Sequence, residues 1–188
     1  LDGDENMQPD FIWFKQRGGA TAHALVDSVR GRSKVIFSNN SNAEETSAAS
    51  TNDLVSFDSN GFTVGTTNVS GSFNTSSGTH VAWNWKAGGS ASSNSNGSIT
   101  SSVSANTTAG FSIVTVADIG TTNFTFGHGL GVAPSWVLAK SRDGGKWNNY
   151  FKALGANYTI QLDQTSAKIS NSTMWQNTHP TNSVVYAN

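Results

Sequence analysis

The chain has 188 residues, a formal net charge of −1, only 12% charged residues and no cysteine. That balance excludes a disulfide framework and a cysteine zinc site, and it lacks the basic cluster with which nucleic-acid binders neutralise phosphate. Six tryptophans and ten phenylalanines supply a core, while richness in Gly, Ser, Thr and Asn points to β structure with many turns.

In chain order, residues 1–8 are acidic and polar and read as an incoming tail. Pro9 opens a strand over Phe11-Ile12-Trp13-Phe14, and four consecutive apolar residues require cover on both faces. Two further strands are predicted at His23-Ala24-Leu25-Val26-Asp27 and Lys34-Val35-Ile36-Phe37-Ser38. Residues 39–53 read as loop, with at most one helical turn within 42–50, and residues 66–79 as a second loop. Between them Asp58-Ser59-Asn60-Gly61 turns Leu54-Val55-Ser56-Phe57 into Phe62-Thr63-Val64 as a hairpin. His80-Val81-Ala82-Trp83-Asn84-Trp85-Lys86 alternates, placing Val81, Trp83 and Trp85 on one face and Ala82 and Asn84 on the other.

Residues 89–109 are nearly all Ser, Asn, Gly and Thr and read as a linker, with a weak strand near 98–104. The second half opens with strands at Phe111-Ser112-Ile113-Val114-Thr115-Val116 and Asn123-Phe124-Thr125-Phe126. The rest resembles the start of the chain. Pro134-Ser135-Trp136-Val137-Leu138-Ala139-Lys140-Ser141-Arg142 stands 125 residues after Pro9-Asp10-Phe11-Ile12-Trp13-Phe14-Lys15-Gln16-Arg17, and the offset is expected to run without a gap to the pair Phe37 and Leu162. Gly18-Gly19 and Gly144-Gly145 supply the turn after each strand.

The expected fold is therefore an all-β antiparallel sandwich, jelly-roll or concanavalin-like, with modules at 9–88 and 110–188 joined by the linker. One sandwich formed jointly by both halves is the alternative. Each proline-led strand should lie in the middle of its sheet. The closing strand at Ser183-Val184-Val185-Tyr186 should correspond to Phe62-Thr63-Val64, with no copy of the His80 strand after it, so the sequence reads as cut from a longer repeating chain. The strand edge left open there should pair with another subunit.

Several of these runs together resemble a known family. They are Ala24-Leu25-Val26-Asp27-Ser28-Val29-Arg30-Gly31, Ser59-Asn60-Gly61-Phe62-Thr63-Val64-Gly65, Val81-Ala82-Trp83-Asn84-Trp85-Lys86-Ala87-Gly88-Gly89, Gly97-Ser98-Ile99-Thr100-Ser101, Gly110-Phe111-Ser112-Ile113-Val114-Thr115 and Gly127-His128-Gly129-Leu130-Gly131-Val132-Ala133-Pro134. As a set they resemble a domain of unknown function that recurs in structural and tail-fibre-like proteins of marine bacteriophages, cyanophages included. Asn84 stands where a cysteine is common in that pattern. The resemblance implies a virion surface or tail-appendage protein of β-sandwich type with no established catalytic activity; the expected partners are other virion subunits, and the unpaired strand edges lead to the expectation of a homo-oligomer. It implies no functional residues.

Candidate sites are few. His128 sits between glycines that more simply permit a tight loop, and His23, His80, His128 and His179 lie too far apart in sequence for a metal. Asp4-Glu5, Glu44-Glu45 and Asp143 form no pair suited to glycoside hydrolysis. Asp2-Gly3-Asp4-Glu5 and Asp58-Ser59-Asn60-Gly61 carry calcium-type oxygens but lack a complete ligand series, so no cofactor or metal is expected. Asn-x-Ser/Thr triplets at Asn68, Asn106 and Asn157 are what this composition produces by chance. Trp13, Trp83 and Trp136 are expected in the core; Trp147 and Trp175, flanked by Asn148 and Asn177 in polar loops, are the expected ligand-facing residues of a lectin-like surface for host glycans. No apolar run approaches the roughly 18–20 residues that span a bilayer.

Overall fold

The computed structural model describes residues 6–47, 53–66, 73–117 and 123–188. The carboxylates of Asp2, Asp4 and Glu5, the Asn68 triplet and parts of both polar loops lie outside the described residues. The first half contains β1 (Phe11–Gln16), β2 (Ala24–Asp27), β3 (Lys34–Phe37), β4 (Glu45–Thr46), β5 (Leu54–Asp58), β6 (Gly61–Val64) and β7 (His80–Trp85). Then come β8 (Ser92–Asn94), β9 (Ser101–Asn106), β10 (Phe111–Val116), β11 (Phe124–Gly127), β12 (Trp136–Ala139), β13 (Asn148–Phe151), β14 (Tyr158–Gln161), β15 (Ile169–Ser170) and β16 (Val184–Ala187). The fold is all-β and antiparallel throughout the named ladders, as a sandwich requires, and among the described residues no helix is long and apolar enough to cross a membrane.

The first sheet has the order β4-β3-β2-β1-β7. Alternation along its strands turns Ile12, Phe14, Ala24, Val26, Val35 and Phe37 to one face, where the β5–β6 hairpin closes over them with Leu54, Phe57, Phe62 and Val64. Each Val, Leu, Ile or Phe side chain taken out of water here contributes about 1.5–3 kcal/mol, and this face holds the larger core of the molecule. The opposite face carries Phe11, Trp13, Leu25 and Ile36, and onto it pack Leu138 and Trp147 from the second half.

The second sheet, β12-β13-β14-β15, repeats the order β1-β2-β3-β4. Its buried face gathers Tyr150, Ala156, Trp175 and Val185 with Val137 and Ala139, under cover from the β11–β16 pair. Ile12 pairs with Val26 and, 125 residues on, Val137 pairs with Tyr150, only 124 beyond Val26. The predicted gapless offset is thus corrected: one residue is missing from the second turn, and β13, β14 and β15 follow β2, β3 and β4 at 124. Burial agrees, since Val26 and Tyr150, and Val35 and Thr159, are all buried, whereas Leu162 is 38% exposed. Both strands end alike: Lys15 Nζ donates to the Gly19 carbonyl at 2.8 Å, and Lys140 Nζ donates to that of Gly145.

Four further expectations are revised. Of the two proline-led strands, β1 lies between β2 and β7, but β12 is an edge strand, paired with β13 alone among the described residues. β16 pairs with β11, whereas β6 pairs with β5, so the two cover equivalent faces through different partners. Glu45–Thr46 within the polar loop forms the short strand β4. Residues 89–109 contain β8 and β9 and do not form a slack linker: Ser104 Oγ donates to Gly89 O at 2.7 Å and accepts from Gly88 N at 3.0 Å, while Ser101 Oγ donates to Gly127 O at 2.8 Å. Small residues here serve close packing. A Cβ on Gly88 would stand 2.4 Å from the Ala105 carbonyl oxygen.

The two halves also interlock. The turn between β12 and β13 lies against the loop after β3 through Gly145 N to Ser41 O at 2.8 Å and Glu44 N to Arg142 O at 2.7 Å.

Candidate functional site

The site is an aromatic surface at the β7 edge of the face of the first sheet that also receives Leu138 and Trp147. The register Trp13↔Trp83 and Phe11↔Trp85 places the indoles of β7 directly opposite aromatic residues of β1. Ala82 faces the core, so Trp83 and Trp85 face outward, and Trp83 remains 49% exposed. This corrects the core assignment of Trp83: alternation was right, but the face buried beneath the hairpin is the one with the small residue. The rings meet edge to face, Trp13 with Trp83 at 6.1 Å and Phe11 with Trp85 at 5.3 Å, and Phe111 of β10 stacks on Trp85 at 6.2 Å. Between them Trp13, Trp83 and Trp85 line an open cleft of about 290 Å³.

The second sheet carries its own exposed indole, also expected in the core. Trp136, 125 residues after Phe11, is 49% exposed. Its ring lies nearly parallel to Phe151, with centroids 5.9 Å apart, and its Nε1 donates to Asn149 Oδ1 at 2.9 Å. Asn149 is fixed in turn by donation from Nδ2 to Ile160 O at 2.9 Å. One ring face is therefore supported and the other is free, in a fixed orientation. Such amphipathic rings are typical anchors of contact surfaces.

The predicted ligand-facing residues lie elsewhere and do not converge. Trp147 is 4% exposed, in the core shared between the halves, where its Nε1 donates to Phe37 O at 2.6 Å. Trp175 is 1% exposed, in the second half's own core against Tyr150. A ring buried to this degree offers no face to a sugar, so both are corrected to core residues; indoles in polar loops here plug the sheets. Asn148 pairs opposite Gln161 in the ladder, and Asn177 is exposed in a left-handed backbone conformation. Neither adjoins an exposed indole in any described contact.

His128 and Asp10 are buried polar groups committed to structure. His128 Nδ1 accepts from Leu130 N at 3.2 Å, which leaves Nε2 to donate to Thr181 O at 3.2 Å, and burial holds its pKa below the ordinary 6.5 despite the Thr181 contact. Its neighbour Gly129, at φ +73°, is needed both for that conformation and because a Cβ would stand 2.9 Å from Val103 Cγ1. Asp10, buried, accepts from Ser28 Oγ, Ala87 N and Gly89 N, tying β1 to the chain leaving β7. Asp58 binds Thr63 Oγ1 at 2.7 Å within its hairpin. Among the described residues no three His, Asp or Glu side chains stand close enough together to hold a metal.

The strongest electrostatic feature joins the halves. Glu44 accepts from Arg142 at 2.7 and 2.9 Å and from Arg30 at 3.1 Å, and Arg30 also binds Asp27 at 2.5 Å. Burial alone would raise the Glu44 carboxyl, but the bonds from Arg142 and Arg30 outweigh it and hold its pKa below the ordinary range. This cluster was invisible in sequence, because Glu44 and Arg142 are 98 residues apart.

A family model described as a domain of unknown function (DUF7483) fits residues 4–188. No curated protein and no solved structure matches the chain.

Proposed function

We propose, for a chain that belongs to the DUF7483 family, whose description assigns no activity, that it is a non-enzymatic structural module of a bacteriophage virion. In this reading it is a tail-fibre or capsid-appendage component that assembles with like subunits and presents its outer faces at the particle surface. The observation that carries the assembly reading is the recurrence of the β1–β4 order in β12–β15 with one side of β12 unpaired among the described residues. An edge strand beside half-exposed indoles invites pairing with another sheet. The virion setting rests on the motif resemblance. Two experiments test the reading. Sedimentation should show concentration-dependent association that Trp136→Lys weakens, and a monomer at every concentration would overturn assembly. Mass spectrometry of purified particles should find the chain among virion proteins; its confinement to the soluble cell fraction would overturn the setting.

A second reading, a lectin-like module for host-surface glycans, is favoured by the Trp13, Trp83 and Trp85 cleft and by the supported ring of Trp136. The C–H face of a pyranose is apolar and suits an exposed indole. On a glycan array, saturable binding lost in Trp83→Ala or Trp136→Ala but kept in the folded parent supports it. Binding unaffected by both substitutions removes these rings from the reading.

A further inference from the structure

We infer that the open side of β12 is a strand-acceptor site for an incoming antiparallel strand with the chemistry of β7: large apolar, preferably indole, side chains at alternate positions, with small or polar residues between them. The inference rests on the assembly reading and names its partner. The comparison of the two sheets carries it. In the first, Ser28 N donates to Asp10 O and Arg17 N donates to Thr79 O, so by alternation Ile12 and Phe14 bond to β2 while Phe11, Trp13 and Lys15 bond to β7, and Asp10 N adds a bond to Trp85 O at the start of that ladder. In the second, Lys152 N donates to Ser135 O, so Ser135, Val137 and Ala139 bond to β13. The N–H and C=O groups of Trp136 and Leu138 therefore point to the other side, as those of Phe11 and Trp13 do. In the first sheet β7 takes them; beside β12 no described strand does.

The side chains match as well as the backbone. The first-sheet register, carried over, sets a Trp85-type residue opposite Trp136, a Trp83-type residue opposite Leu138 and a Val81-type residue opposite Lys140. The equivalent of the Phe11 and Trp85 contact would cover Trp136, whose exposure is otherwise the cost of an unfilled position. Backbone pairing would supply affinity and the alternate indoles register.

The probe is a peptide with the sequence of residues 78–88, titrated into the full, isotopically labelled chain and followed by amide chemical shifts and hydrogen exchange. The expected result is protection of the Trp136 and Leu138 amides, with no matching loss of protection in β1. N-methylation of the peptide at its Trp83 position removes a ladder donor and should weaken binding about tenfold or more; N-methylation at its Ala82 position, which points away from the acceptor, should leave it nearly unchanged. Equal weakening by both, protection confined to β1, or no response of the Trp136 and Leu138 amides at the highest soluble peptide concentration would overturn the site. A chain that stays monomeric yet takes up the peptide supports the acceptor site and removes self-assembly. One that associates without protecting these amides does the reverse.

Discussion

Replacement of Trp147 distinguishes a shared core from a binding surface. Its ring packs on Leu25 and Ile36 beside Phe11, Trp13 and Leu138, and its indole N–H is the donor to Phe37 O at 2.6 Å. Trp147→Ala empties that position and should cost about 3–5 kcal/mol, the range for deleting a buried Trp or Phe. Trp147→Phe keeps an aromatic ring but strands the Phe37 carbonyl, and should cost about 1–3 kcal/mol. With a urea dependence of about 2 kcal/mol per molar, the midpoint should fall by about 2 M for alanine and about 1 M for phenylalanine. Equilibrium urea unfolding, followed by far-UV circular dichroism and by the remaining tryptophan fluorescence, measures both. A change below about 0.5 kcal/mol in Trp147→Ala, the size expected of a surface position, would refute the shared core and return the residue to the surface.

Glu44→Ala should destabilise by about 3 kcal/mol, the lower end for breaking a buried ion pair, because Arg30 keeps Asp27 while Arg142 regains water. The Glu44 carboxyl is lowered in the folded chain, so its stabilisation is fully present above the ordinary value of 4.5 and is lost as pH falls through the lowered folded value; Glu44→Gln should abolish that part of the acid dependence in urea midpoints. His128 works in a different window. Its pKa is lowered by burial, so below 6.5 the unfolded chain binds a proton that the folded chain does not, and stability should decline as pH falls from 6.5 toward the folded value. His23, lowered by burial and by Lys15, adds the same sign, so His128→Gln should remove only part of the slope; an unchanged slope would refute the buried, neutral imidazole. Trp83→Ser, at a half-exposed position, should cost about 1 kcal/mol or less in the same assay, whereas Trp175→Ala should cost about 3–5 kcal/mol. A reversal of that order would refute the assignment of faces.

Much of the strand plan was legible because period-2 alternation is local. The Trp-rich strand, the Asp58-Ser59-Asn60-Gly61 hairpin and the proline-led pair announce themselves in a few residues each. Which face of β7 is buried was not legible: Ala82 looks the weaker core residue, and only the distant β5–β6 hairpin selects its side. Trp147 and Trp175 misled for a related reason. Their flanking Asn, Lys and Gln residues describe a loop's solvent side and say nothing of a ring turned inward between sheets. The Ser-rich stretch 89–109 reads as slack by composition, yet serine hydroxyls at Ser101 and Ser104 satisfy backbone groups where neighbouring chain segments come too close for larger residues. The missing residue in the second turn shows only in the pairing register, because either offset sets apolar against apolar at several positions.

The interlock between turn 140–147 and loop 39–44 bears on how the chain can be divided. Arg142, Gly145 and Trp147 all reach across to partners before residue 45, and Phe111 reaches back to Phe11 and Trp85. A cut anywhere in 89–109 would strip greasy surface from both fragments at once. Expression boundaries set by the serine-rich composition would therefore yield sticky, insoluble pieces, and the chain should melt in one step as a single cooperative block.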